Sequence, residues 1–583
     1  MMILCVCLMC FIFFNSISSA GALYFGGTII TMDDEDQMVE AVLTKDGRII
    51  SVGKTSEVSS RADSRTRRID LGGMTMLPGF IDPHGHFPNA GYNDLFYVDL
   101  NSPPIGRIHT MEALIAALNR KAKSMEEEAW IKGFGYDDTL LAEKRHPGKA
   151  DLDRVIGNHP VYIEHISGHM AVANSKALAI AGITGTTTPP PGGEIILAAD
   201  GQPTGLLKES AMGLISGRIP PLSESQKIDG IGRASEIYVK AGVTTAQDGA
   251  AIPTLGPGQP GDIPLFQKAV DQGVLKNRVV VLPYVGVYSG IEFAPLWKED
   301  HTSGSDLTGG ARMITMGAGK LIGDGSIQGY TGYLSKPYFI QPEGKKDWVA
   351  YPWYTKEDLA ERVIDLYRAG WQVAVHGNGD QAIEDIIDAI ESAQKDTGRK
   401  DVRPIIIHCQ TVREDQLDRV AALGIIPSFF VSHAYYWGDR HRDIFLGPER
   451  ALRMNPCRSA LDRGIRFTHH NDTPVTPISP LLSVWSAVNR ISSGGNLISS
   501  KDPKADQRID VYNALKGVTI DAAYQGYEED FKGTITEKKL ADFVILDKNP
   551  LTVDPKAIKD INIMATIIND EVVYASDDFK YKE

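Results

Sequence analysis

The chain has little sulfur with which to cross-link itself. Five cysteines occur in 583 residues, and three of them (Cys5, Cys7 and Cys10) fall in an apolar opening segment. Cys409 and Cys457 are all that the rest of the chain holds, too few for a disulfide framework, so a hydrophobic core must support the fold. Runs of Lys or Arg are also missing: 60 basic residues stand against 74 acidic ones, a net charge of −14. That balance gives nucleic-acid binding no electrostatic footprint and speaks mainly for solubility. No apolar run reaches the roughly 20 residues that a membrane-spanning helix needs. Met1 to Phe14 comes nearest, and small residues at Ser18 and Ala20 follow it. Residues 1–20 therefore read as a secretory signal, cleaved in preference to being kept as an anchor, although the usual basic residues before the apolar stretch are lacking. The expectation is a secreted or periplasmic protein with no stable membrane span after cleavage. Internal repeats and low-complexity tracts are absent as well.

What is present has an ordinary globular balance, 43% hydrophobic and 23% charged. From Ala22 onward the pattern is strand-like, with Asp46-Gly47 as a hairpin turn between apolar runs. The C-terminus answers with Ala541-Asp-Phe-Val-Ile-Leu and a second apolar run from Ile561. These ends, residues 21–74 and 520–583, predict a small composite β-sandwich.

Between them, residues 75–519 alternate short apolar strands with amphipathic helices, the signature of a parallel α/β architecture. Candidate strands lie at Thr75–Ile81, Val243–Gln247, Arg278–Val285, Arg312–Met316, Gln372–Val375, Pro404–Ile407, Ile425–Val431 and Arg466–Thr468. Eight such strands suggest a (β/α)8 TIM barrel, whose active site gathers at the C-terminal strand ends. A helix is legible at Thr355–Ala369: Thr355 caps it, Leu359, Val363 and Leu366 form its apolar stripe, and Gly370 stops it. About 160 residues separate the first two strands, against ~2–6 for an ordinary connection, so residues 87–240 should form an inserted sub-domain over the barrel mouth.

The strand ends carry the chemistry. The first leads into Asp82-Pro83-His84-Gly85-His86, and an imidazole pair two apart on a strand would share a face, half of a divalent-metal site. The fourth runs on to Lys320, the fifth ends on His376, the sixth on His408, and the eighth on His469-His470-Asn471-Asp472. Any one of these is weak. Their joint arrival at one rim is not.

Here the sequence resembles the amidohydrolase superfamily, in the family 3 branch that contains N-substituted formamide deformylase. The resemblance covers essentially everything after the leader. It rests on Pro78-Gly-Phe-Ile-Asp-Pro-His-Gly-His86, Gly133-Phe-Gly-Tyr-Asp137, Ser167-Gly-His169 with Asn174, Gly205-Leu-Leu-Lys-Glu209, Gly242-Val-Thr-Thr-Ala-Gln-Asp248, Lys320-Leu-Ile-Gly-Asp-Gly325 and the strand-end histidines.

The resemblance implies a zinc centre of one or two ions, another divalent metal being compatible. His84, His86 and Asp472 would hold one ion and His376 and His408 a second. Lys320 matches a carboxylated lysine bridging both; a plain ammonium has no lone pair to give, and an unmodified lysine would leave a single ion. The implied activity is hydrolysis of carbon–nitrogen, non-peptide bonds, such as amides and N-formyl or N-acyl amines, by a metal-activated water. Asp472 would be ligand and proton shuttle, and His169 would stabilise the developing oxyanion. Tyr136, Asp137, His433 and His470 are expected around the substrate. One departure stands out: His470-Asn471 replaces the small Gly-Ser pair that the family commonly has before the final Asp. The same activated water would serve a deaminase or an ester or phosphoester hydrolase, and a regulatory or sensor protein that binds metal without turnover is the reading from another class. The expected partner is a small-molecule substrate; a homodimer follows only by analogy with related barrels.

Overall fold

A computed structural model describes residues 21–35, 37–251, 263–285, 304–308 and 310–579. The export signal expected over residues 1–20 lies outside them. Asp46 and Gly47 both adopt left-handed φ, 51° and 73°, as a two-residue hairpin turn between right-twisted strands requires. The turn joins Met38–Lys45 to Arg48–Gly53, with Lys45 opposite Arg48. This hairpin edges an eight-stranded sheet to which Ala22–Ile30, Arg67–Asp70 and Thr75–Pro78 also belong, together with Phe543–Leu546, Ile563–Ile568 and Glu571–Ala575 from the other end of the chain. Both termini combine in one hydrogen-bonded set of strands that branches at Ala22–Ile30, whose first half pairs with Arg67–Asp70 and whose second half pairs with Thr75–Pro78.

The first strand of the middle region is not one strand. Thr75–Pro78 pairs with Phe543–Leu546 in the terminal sheet, whereas Phe80–Ile81 pairs in parallel with the strand Val243–Ala251. Gly79 is the break: a Cβ there would lie 2.1 Å from Thr244 Cγ2, so only glycine lets the two sheets approach this closely. Two parallel sheets follow. One runs Ile314–Met316, Arg278–Pro283, Val243–Ala251, Phe80–Ile81; the other runs Gly319–Ile322, Val373–Gly377, Ile405–His408, Ile426–Phe429, Thr468–His469. A parallel bridge between Tyr284 and Lys320 links them on one side. On the other, His86 N donates to Thr473 O (2.8 Å) and Asp472 N to His84 O (3.2 Å).

Side-chain alternation sorts these strands into two layers of contact. Val280, Leu282, Ala318, Ala374, Ile405 and Ile407 pack against one another as a separate buried cluster, while Val279, Val281, Val373, Val375 and Ile406 join the main core. The period of two then sends Lys320 and Ile322 to the same side, where both line the central cavity. The helix Lys356–Arg368 forms as its sequence dictates: Thr355 Oγ1 accepts from Asp358 N at 3.2 Å, and Leu359, Val363 and Leu366 are buried.

Residues 98–209 build a third layer, a six-stranded sheet in the order Gly193–Leu197, Pro203–Glu209, Met170–Ala173, Val161–His165, Ile131–Tyr136, Val98–Asp99, with its own apolar clusters. The terminal sheet is tied to the parallel strands by a buried bidentate pair, Arg278 Nε–Asp542 Oδ2 (2.6 Å) and Arg278 Nη2–Asp542 Oδ1 (2.9 Å). Removing one partner of such a pair strands a buried charge, typically at a cost of about 3–5 kcal/mol.

Candidate metal centre

The strand that leads to His84 ends at Ile81, so the His84–His86 pair sits beyond it, in a loop. Strand alternation therefore does not align the two rings; neighbouring backbone does. Asp82 N bonds Thr245 O, Gly249 N bonds Gly85 O, and His86 is bridged to Asp248. The rings stand 5.2 Å apart, edge to face, and both turn Nε2 towards one oxygen: His84 at 3.5 Å and His86 at 3.3 Å from Asp472 Oδ1. His84 Nδ1 lies 3.1 Å from Gln247 Oε1, an acceptor only, so Nδ1 carries the proton and Nε2 the lone pair. His84 Nε2 and Asp472 Oδ1 are buried and have no hydrogen-bond partner. Donor atoms around a tetrahedral zinc, with bonds of about 2.0–2.1 Å, are themselves roughly 3.3 Å apart. The His84–Asp472 and His86–Asp472 spacings each fit that edge of the tetrahedron.

His408 brings the third imidazole; its ligand-type nitrogen, that of His84 and an Asp472 oxygen all lie within 4.8 Å of one another. It gets there by leaving the strand. Ile407 already points inward, so a regular continuation would face His408 outward, but His408 has φ 66°. Asp472 is likewise left-handed, at φ 53°. Two non-glycine residues in that region at one site are strain retained for position. His376 continues the array, its ring 4.6 Å from that of His408. Its Nδ1 faces Asp324 Oδ1 at 3.2 Å, and Asp324 is anchored by Asn378 N, Gly379 N and Tyr333 N. Asp324 thus orients His376. Asn378 Nδ2 approaches the other ring nitrogen at 3.3 Å.

Burial keeps these rings neutral rather than cationic. His84 and His408 are held well below the usual imidazole range, mainly by desolvation, and His376 is lowered for the same reason. Neutral imidazole is the metal-binding form. Lys320 is buried on the same wall, and desolvation pulls its amine down to about 7 against the opposing charge of Asp472.

The group opens onto a cavity of about 390 Å³. His86, Lys320, His376, His408 and Asp472 line one side, while Glu164, His169 and Glu209 reach it from the insertion sheet and its loops. His169 Nδ1 is 2.8 Å from Glu209 Oε2. Burial drags the imidazole down, but the charge and hydrogen bond of Glu209 outweigh it and leave His169 raised. Glu209 is buried, sits at φ 51° and has Oε1 unpartnered. It closes the Gly205–Glu209 motif, and nothing local in the sequence marks it as the partner of a histidine 40 residues earlier. Glu164 is a second such residue, its carboxyl pushed up to about 7 by burial against the pull of Lys132.

Four residues expected around the substrate are placed elsewhere: Tyr136, Asp137, His433 and His470 do not line this cavity. His470 stands behind His408, Nε2 at 3.0 Å from His408 Nδ1 and Nδ1 at 3.0 Å from Ser428 Oγ, so it steadies the His408 ring. His433 is buried against Phe430, Trp437 and His441, where its ring meets aromatic walls. Asp137 accepts from Arg440 Nη1 (2.5 Å) and Trp437 Nε1 (3.2 Å), and Tyr136 OH meets His146 Nδ1 at 3.3 Å.

Glu209→Gln keeps the shape of the His169 contact and removes its charge. With Glu209 gone His169 loses its proton at lower pH, so the alkaline limb of the kcat/KM profile moves to lower pH and activity at pH 8 falls by about tenfold or more. An unchanged profile contradicts the pairing.

The match to known proteins follows these features. Residues 67–574 fit the amidohydrolase family, and the chain belongs to it. It is 29% identical to YtcJ of Bacillus subtilis (strain 168), over 95% of this chain and 99% of that one. It is 25% identical to N-substituted formamide deformylase of Arthrobacter pascens, over 95% and 98%. The crystal structure of a metal-dependent hydrolase from Pyrococcus furiosus superposes with a TM-score of 0.67 at 25% identity, covering 91% of this chain and all of that one.

Proposed function

We propose that the protein is a zinc-dependent hydrolase of non-peptide carbon–nitrogen bonds, acting on small N-formyl or N-acyl amines. One observation carries the reading. The buried, unpartnered His84 Nε2 and Asp472 Oδ1 lie a ligand–ligand spacing apart, and Asp472 lines the central cavity. His84, His86 and Asp472 would hold one ion, His376 and His408 a second, and a carbamate on Lys320 would lie between them. Bound there, the metal supplies Lewis acidity towards water and a carbonyl oxygen. Asp472 accepts the proton of the attacking water and passes it to the leaving nitrogen. His169, whose proton Glu209 holds more firmly, donates to the carbonyl oxygen as negative charge grows on it.

The relation to the deformylase favours an amide over the other substrates this centre would serve. We read the two parallel sheets, linked at both edges, as one (β/α)8 barrel over residues 75–519, with residues 87–240 inserted above its mouth. Export by the first 20 residues belongs to the same reading.

Zinc-loaded protein offered N-formyl amines, N-acyl amines, cyclic amides and esters should release amine from one of the first two groups. Turnover confined to esters or to deamination overturns the bond assignment. Tight ligand binding without any turnover overturns the enzyme.

A further inference from the structure

The insertion sheet turns one face towards the metal wall, and strand period decides what that face carries. Phe134 and Glu164 are register partners on the neighbouring strands Ile131–Tyr136 and Val161–His165, and both line the central cavity. On the next strand, Met170–Ala173, the residue opposite Glu164 is Ala171, which offers it only a methyl group. We propose that Glu164 is a specificity-determining residue that binds an ammonium group carried by the substrate away from the scissile bond. The assignment rests on the reading of this cavity as the substrate site of a hydrolase.

The Glu164 carboxylate has acceptors to spare. Among the described residues no hydrogen bond reaches it, and the cation that acts on it, Lys132, makes no ion pair with it. Lys132 Nζ instead rests over the Tyr97 ring, 4.2 Å from its centroid. Its pull does not offset burial, which leaves the carboxyl raised to about 7. A desolvated carboxylate short of donors gains most from a charged one, because the hydrogen bond and the charge are then supplied together.

The rest of the cavity suits a cation at this wall. Tyr92, Tyr97, Phe134 and Trp353 line it too, and aromatic faces attract an ammonium. The other two carboxylates on the lining are engaged: Glu209 holds His169 at 2.8 Å, and Asp472 faces His84 and His86. Lys320 is the one lysine on the lining, no arginine joins it among the described residues, and the Lys320 amine is drawn down to about 7. The charges that act most on His169 are those of Glu209, Asp472 and Asp324, so the donor to the carbonyl oxygen is set without Glu164.

The test compares two amides of equal shape. One is monoacetylated straight-chain butanediamine, which ends in an ammonium; the other is N-pentylacetamide, which ends in a methyl group. At pH 8 the Glu164 carboxyl is mostly ionised and the alkylammonium is protonated. Dissociation constants are measured by titration calorimetry on full-length zinc-loaded protein, and where the amides turn over the same ratio is read in kcat/KM. Wild type should prefer the cationic amide by about tenfold or more. Glu164→Gln should erase the preference by weakening the cationic amide alone, and Glu164→Asp should keep part of it. Equal affinities in wild type, no binding of either amide, or a Glu164→Gln loss shared by both overturn the proposal. A preference without turnover upholds Glu164 and refutes the hydrolase, so the two failures are told apart. Should the variants not fold, wild-type crystals soaked with the cationic amide decide: an ammonium against Glu164 supports the assignment, and one seated elsewhere overturns it.

Discussion

Asp472→Asn lowers kcat/KM by about 10³-fold or more, the largest single loss expected of any side chain here. The amide keeps the carboxylate's shape, so the cavity stays intact. Its charge goes, and with it the acceptor that His84 and His86 face at 3.5 and 3.3 Å. Burial alone would favour the protonated acid, but the side chains of His86, His408 and His84 gathered around it outweigh that and hold Asp472 well below the usual carboxylate range. The group is therefore an anion at any working pH, and asparagine cannot take a proton in its place. Steady-state kinetics and zinc content are measured on the same sample. Zinc retained with kcat lost isolates the proton-transfer role; loss of both marks Asp472 as a ligand. Activity within tenfold of wild type would falsify the placement of Asp472 at the reacting centre.

Lys320→Ala carries the second large effect, about 10²-fold or more in kcat/KM, with partial recovery on adding formate or acetate. The reason is the state of the amine. An exposed lysine titrates near 10.4 and is almost wholly protonated at pH 8. Lys320, desolvated to about 7, is mostly neutral there. Only a neutral amine attacks CO2, forming the N–C bond of a carbamate and releasing one proton. The modification should therefore gain as pH rises through about 7 and be lost below it. Alanine leaves room for a small carboxylate to stand where the carbamate oxygens would lie; arginine fills the space with a cation and should show no recovery. Carbon-13 NMR of wild type under labelled CO2 gives an independent readout. A Lys320→Ala protein of near-wild-type activity, or a wild-type spectrum without the carbamate carbon, removes Lys320 from the centre.

Local rules in the chain marked out much of this. Asp46-Gly47 spelled its turn because both residues tolerate left-handed φ, and Thr355 spelled its cap because its hydroxyl reaches the third amide onward. The chemistry-bearing residues were legible as those that follow apolar strands, a position that a parallel α/β fold turns into a rim. Four positions were decided by non-local partners. Tyr136, Asp137, His433 and His470 lie near that rim in sequence terms, but packing turns them to His146, Arg440, His441 and His408. Composition and period hold no information about such partners.

The sequence by itself singled out the candidate residues that the fold brings to one region: the His84–His86 pair, Lys320, His376, His408 and Asp472, in an order that follows the strands. Tertiary structure alone decided which atoms meet. His408 faces the cavity only through its left-handed φ of 66°, against strand alternation. His169 holds its proton more firmly than burial alone would allow only because Glu209, 40 residues away, is folded against it at 2.8 Å. Gly79 divides one apolar run between two sheets because Thr244 comes up beside it. Strand period and capping are properties of neighbouring residues and can be read along the chain. Ligand geometry and proton affinity depend on which distant groups are brought together and on how much water is shut out, and only the folded chain sets either.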